Sequence, residues 1–153
     1  MMGGGQQQLQ QLSQELQAID EEIEALQDEI DDLQTEQAEI DEAIEAIDTL
    51  DTGSTVQVPL GGGAYIRAEI QDIDEIIVDL GGDFAAEQEA DDAVGALRTK
   101  QDVLDDRIDE VQAEVQELED ESSELEQQAQ QMQQQMQQQQ MQQMQQMQEG
   151  DDE

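Results

Sequence analysis

The chain has 153 residues, with 42 acidic side chains against 4 basic ones and a formal net charge of −38. Nucleic acid and anionic membrane surfaces are excluded as partners, because both are held by Lys and Arg and only Arg67, Arg98, Lys100 and Arg107 are present. With no His, Cys or Trp and a single Tyr, Phe and Pro, the composition argues against a globular core. What remains is a disordered acidic chain or an extended helical one.

The order of the residues decides between these. Residues 1–8 lack the charged and apolar regions of a secretion signal and are predicted to be a disordered N-terminus. From Leu9 the large apolar residues fall at Leu9, Leu12, Leu16, Ile19, Ile23, Leu26, Ile30, Leu33, Ile40, Ile44 and Ile47, with steps of three and four that only Gln37 interrupts. That is a coiled-coil seam, and no Gly or Pro breaks it before Gly53. The spacing predicts a helix over 9–52, on the order of 60 Å long at about 1.5 Å per residue.

The period then changes from 3.5 to 2. Val56, Val58 and Leu60 alternate with polar residues, Gly61-Gly62-Gly63 follows as a turn, and Ala64, Ile66, Ala68 and Ile70 alternate again. A second hairpin is predicted from Glu75 to Leu80, through Gly81-Gly82, to Asp83 and on to Glu87. Residues 53–88 are therefore read as two β-hairpins. Isolated hairpins are marginal in water, so Val56, Val58, Leu60, Ile66, Ile70, Ile76, Val78 and Leu80 call for cover by another chain. The alternative is that they fold onto the base of their own coiled coil.

A second seam occupies 89–136: Ala90, Val94, Leu97, Leu104, Ile108, Val111, Val115, Leu118, Leu125, Ala129, Met132 and Met136, with Gln101 and Ser122 as exceptions. Past Met136 the phase is lost, and the Gln/Met-rich acidic stretch 137–153 is predicted to be disordered. The fold class is thus mainly α, a long antiparallel coiled-coil hairpin of two helices joined by two β-hairpins. Residues whose numbers add to about 140 should lie side by side. Gln37 and Gln101 meet that condition and are expected to satisfy each other as a buried polar pair that fixes the register.

The linker carries more than its period. Val56-Gln57-Val58-Pro59-Leu60-Gly61-Gly62-Gly63-Ala64-Tyr65-Ile66, followed by Ile76-Ile77-Val78-Asp79-Leu80-Gly81-Gly82-Asp83-Phe84-Ala85-Ala86-Glu87, resembles the twin-hairpin region of archaeal prefoldin alpha subunits. The flanking arms have that family's lengths. The resemblance implies an ATP-independent chaperone, a hexamer of two alpha and four beta subunits whose hairpins form an oligomeric β-barrel platform. It also implies that the coiled-coil tips hold unfolded polypeptides and pass them to a group II chaperonin. The long Gln/Met stretch after Met136 departs from the family's pattern.

Catalysis has little to work with. Without His or Cys there is no Ser-His-Asp triad, no thiol nucleophile and no usual zinc ligand, and Gly61-Gly62-Gly63 lacks the Lys-Ser/Thr of a phosphate loop. Asp72-Ile73-Asp74-Glu75 lacks the Gly and terminal Glu of a calcium loop. No cofactor and no metal are expected, and non-covalent binding is what remains.

The candidate client-binding residues are Leu9, Leu12 and Leu16 on one arm with Met132, Met136, Met141, Met144 and Met147 on the other. Unbranched, polarizable methionines can repack around many apolar sequences. The alternative reading makes Met132 and Met136 ordinary seam residues and the remainder a tail. Two other functional classes stay open: a structural coiled-coil tether, and an acidic mimic of nucleic acid. The longest strongly apolar run is Ile76-Ile77-Val78, too short for a membrane span, and the expected location is the cytoplasm. Residues 20–51 hold fifteen acids and no base, which points to a halophilic host whose salt screens the repulsion.

Overall fold

The computed structural model describes residues 3–151. The element order is helix α1 (Gly3–Thr49), strands β1 (Thr55–Gly61), β2 (Ala64–Glu69), β3 (Ile76–Gly81) and β4 (Phe84–Gln88), then helix α2 (Ala90–Asp151). The expected class, two long helices joined by two β-hairpins, is the fold observed. Two compact units divide it: residues 1–30 with 110–153, and residues 31–109.

Each helix runs further than the seam predicts at one end, although α1 stops at Thr49, short of the expected residue 52. Residues 3–8 and 137–151 are helical rather than disordered, while Met1, Met2, Asp152 and Glu153 lie outside the described residues. Over residues 6–8 and 137–149 the physical reason is local, whereas Gly3, Gly4 and Gly5 have no such propensity. Helical hydrogen bonds join residues four apart and need no partner helix, Gln and Met are good helix formers, and nothing between Met136 and Gly150 breaks the run.

In each unit nearly all the buried helix positions are seam positions. In the first unit Ile19, Val111 and Val115 are buried, flanked by half-buried Leu12, Leu16, Ile23, Leu118 and Leu125. In the second unit Ile40, Ile108 and Ala93 are buried on the helices and Val78 on β3. Ala93, which the seam reading does not include, is fully covered.

The hairpins are two separate two-stranded antiparallel sheets, β1 with β2 and β3 with β4. Val56 faces Ala68 and Val58 faces Ile66 in the first, while Ile76 faces Gln88 and Val78 faces Ala86 in the second. Each carries a bulge just before its turn, between Pro59 and Gly61 and between Asp79 and Gly81, so Leu60 and Leu80 are the extra residues. The first turn is tighter than its glycine run suggests, and the second is shifted by one residue from Gly81-Gly82. They consist of Gly62-Gly63 and Gly82-Asp83, with φ of 61°, 81°, 61° and 67°. Two consecutive positive φ values are what a two-residue hairpin turn needs to match the twist of its strands. The hairpins are copies of one design, since Val58, Leu60, Gly61 and Gly62 recur twenty residues on as Val78, Leu80, Gly81 and Gly82.

Side chains in the connections tie the hairpins to the helix ends. The Ile73 N–H donates to Thr52 Oγ1 at 3.1 Å, and the Gly53 N–H donates to the Ile70 carbonyl at 2.7 Å. Asp74 Oδ1 accepts the N–H of Ala90, the first residue of α2, at 3.4 Å, and Asp91 and Asp92 follow in that turn where the helix dipole favours negative charge. Asp72 Oδ1 in turn accepts the Asp74 N–H at 3.0 Å. These carboxylates are engaged in shaping the linker and starting the helix.

Candidate functional site

The geometry offers two surfaces. On the hairpins, Val58, Leu60, Ile66 and Leu80 are 42%, 66%, 53% and 52% exposed, while Val56, Ile70 and Ile76 are half-buried. Val78 differs from the rest: at 4% exposure it is covered by its own chain, as the alternative reading of the hairpins expects. The structure adds residues that alternation passes over. Ile77 and Phe84 are 73% and 75% exposed, and Tyr65 is also exposed. Ile77 pairs with Glu87, on the face opposite Ile76 and Val78. The signal for it lay in the unbroken run Ile76-Ile77-Val78, since a strand apolar on both faces is one covered on both faces.

The second surface lies within the unit formed by residues 1–30 and 110–153. Leu12 and Met132 line one open groove of about 330 Å³, with Gln8, Gln11 and Glu15 on α1 and Gln128, Gln131 and Gln135 on α2. Met136 and Gly5 line another of about 390 Å³, most of whose remaining wall is glutamine. Met136 lies over the glycine, its sulfur 3.4 Å from where a Cβ on Gly5 would stand. Leu9, Leu12, Leu16, Met132 and Met136 are all half-buried, so five of the eight candidate client residues belong to the seam. Met141, Met144 and Met147 stand apart at 71%, 72% and 79% exposure on α2.

Residues 1–14 and 127–148 contain no Asp, Glu, Lys or Arg. The acidic surface stops at Glu15 on α1 and Glu126 on α2, and Glu15 and Gln128 line one groove. A running charge count along the sequence would have found this boundary. Among the described residues, no three acidic side chains gather to hold a metal ion, and no helix is long and apolar enough to cross a membrane.

Residues 19–142 match the family model for the prefoldin subunit. The chain belongs to the prefoldin family. It is 76% identical over 112 residues to prefoldin subunit alpha of Halorubrum lacusprofundi, which covers 73% of this chain and 74% of the relative. It is 71% identical over 109 residues to prefoldin subunit alpha of Halobacterium salinarum, covering 71% of each. Among solved structures it is similar to filamentous PFD from Methanocaldococcus jannaschii, at 28% identity and a TM-score of 0.44 over 69% of this chain and 95% of that one. The twin-hairpin resemblance in the linker and the family match therefore agree, and the high-identity relatives come from halophilic archaea.

Proposed function

We propose that this prefoldin-family chain is the alpha subunit of a cytoplasmic, ATP-independent holdase. Two alpha and four beta subunits join through their hairpins into a barrel platform, and the free helix ends hold unfolded polypeptides for transfer to a group II chaperonin. No step is chemical: the residues offered to a client are thioethers, aliphatic side chains and amides.

The observation that carries this reading is that the exposed large apolar side chains concentrate in two places with different demands. Those on the hairpins sit on paired strands with unpaired outer edges, which fits a fixed partner of complementary strands. Those on α2 are flexible methionines spaced among glutamines, which fits partners of no fixed sequence.

The test is co-expression with a beta subunit, mass measurement of the complex in molar salt, and light scattering of a denatured test protein without ATP. A hexamer that suppresses aggregation is expected. Failure both to associate with the beta chain and to suppress aggregation would overturn the reading.

A further inference from the structure

The uncharged end of the two helices calls for its own explanation. At the chain's average of 42 acids in 153 residues, the combined stretches 1–14 and 127–148 would hold about ten carboxylates, and they hold none. The replacement is mainly glutamine, which keeps helix propensity and solubility while removing charge. The gap is also matched between the helices, since Leu12 and Gln8 of one stretch and Met132 and Gln135 of the other line a single groove, in which Glu15 is the one charged lining residue.

A gap in negative charge matters only to a ligand that the charge would repel. A cationic polypeptide would be drawn to the acidic surface elsewhere on either helix and would gain nothing from a neutral end. An acidic polypeptide is opposed everywhere else. Salt removes only part of that opposition: at 1 M the Debye length is about 3 Å, so long-range repulsion vanishes while carboxylates at contact still repel. A carboxylate covered by a bound chain must also shed its hydration, whatever the salt. Glutamine avoids both costs and offers a donor and an acceptor to a peptide main chain.

Resting on the holdase reading above, we propose that the charge-free stretches 3–14 and 127–148 form a docking surface for acidic non-native polypeptides, which the remainder of the chain repels. The neutral end sets the class of client, and the apolar residues within it supply adhesion.

The experiment uses the full chain in its assembled complex and one test protein prepared in strongly negative and strongly positive versions, both chemically denatured. Gln8, Gln131, Gln135 and Gln139 are replaced together by Glu in one variant and by Lys in a second, with helicity and assembly mass checked for each. Wild type should hold the negative client in molar salt. The Glu variant should bind it about tenfold or more weakly while keeping the positive client, and the Lys variant should bind the negative client at least as well as wild type. Undiminished binding of the negative client by the Glu variant would overturn this proposal alone, as would wild type holding only the positive client. Wild type holding neither client would overturn the holdase reading and this one with it.

Discussion

Gln37 and Gln101 reach across the seam to each other's main chain. The Gln37 side-chain amide donates to the Gln101 carbonyl at 3.4 Å and to Asp105 Oδ1 at 2.5 Å, and the Gln101 amide donates to the Gln37 carbonyl at 3.3 Å and to Asp41 Oδ1 at 2.6 Å. Each glutamine thus bonds the facing backbone and the aspartate one turn further along the facing helix. The two amides do not bond each other, and both are half-buried rather than buried, which departs from the simple pair the sequence suggests. Such a layer suits register selection, because a slip by one heptad would strand both amides against aliphatic side chains.

Replacing Gln37 by Glu should therefore be costly. Q37E removes the donor and sets a carboxylate against the Gln101 carbonyl and the Asp105 carboxylate. A loss of about 1–3 kcal/mol is expected, seen as a lower melting midpoint by circular dichroism in molar salt. D105N restores a donor at the same place and should recover part of that loss in the double variant. Additive losses would show that the two side chains act independently.

The double variant Gln37→Leu with Gln101→Leu should separate stability from register. Two apolar seam residues should raise the melting midpoint, since a leucine layer adds adhesion. Register should loosen at the same time. Cysteines introduced at two heptad-spaced positions facing one site would crosslink only in the native register for wild type, and in both for the leucine variant.

How far the sequence foretold these features depends on what repeats in it. The seam from Leu9 to Ile47 and from Ala90 to Met136 could be read directly, because burial of one helix stripe imposes a period that no disordered chain would keep. The hairpins were legible from their alternation, but the bulges at Leu60 and Leu80 were not. A three-glycine run allows several turn registers, and only the paired backbone selects Gly62-Gly63. Helix beyond Met136 leaves no mark on the seam, because glutamine-rich helix is carried by local propensity. The charge gap beyond Glu15 and Glu126 is legible in the sequence only as residues missing, which no motif of residues present reveals.

Assembly should depend on the exposed hairpin side chains and not on the helices. L60S, I66S and L80S in combination remove apolar area that is already in water, so the chain alone should keep its helicity. Association with a beta chain should be lost or weakened by at least about a hundredfold, since each large residue fully buried at an interface is worth about 1.5–3 kcal/mol. Mass measurement of the mixture reads the outcome. V78S differs, because Val78 is covered within its own chain, and it should lower the melting midpoint instead.

The turn of the second hairpin offers a gain in stability. Asp83 is the one non-glycine residue with positive φ among the described residues, at 67°, at the position where the first hairpin has Gly63. D83G relieves a backbone penalty of about 1 kcal/mol and makes the two turns chemically alike. D83V, β-branched in a left-handed conformation, should cost at least as much as D83G gains. Thermal melts of the two variants beside wild type should rank them in that order.

Salt should decide whether the helices pair at all. Residues 20–51 carry fifteen acids without one base, and neighbouring turns repel when the Debye length is about 10 Å or longer. Dialysis from molar to millimolar salt should lower helicity and dissociate the assembly, and restoring salt should reverse both. The loss should follow ionic strength, so sodium and potassium chloride should give similar midpoints. Helicity and mass unchanged across that range would mean that the seam alone outweighs the charge.

The exposed methionines should serve client binding rather than the fold. Met141, Met144 and Met147 have no seam role, so replacing all three by Gln should leave helicity, melting and assembly mass as they are. A client that covers a fraction of three such side chains gains about 1–2 kcal/mol from them, given about 1.5–3 kcal/mol for complete burial of one. The triple variant should then bind an unfolded client about five- to thirtyfold more weakly, measured by fluorescence anisotropy of a labelled denatured chain. Met132→Leu and Met136→Leu keep the seam apolar and should have little effect on melting. If they weaken client binding while the outer triple does not, capture occurs in the two grooves and the last turns of α2 are a spacer. If neither set weakens it, the tether reading gains, because a spacer needs no methionine.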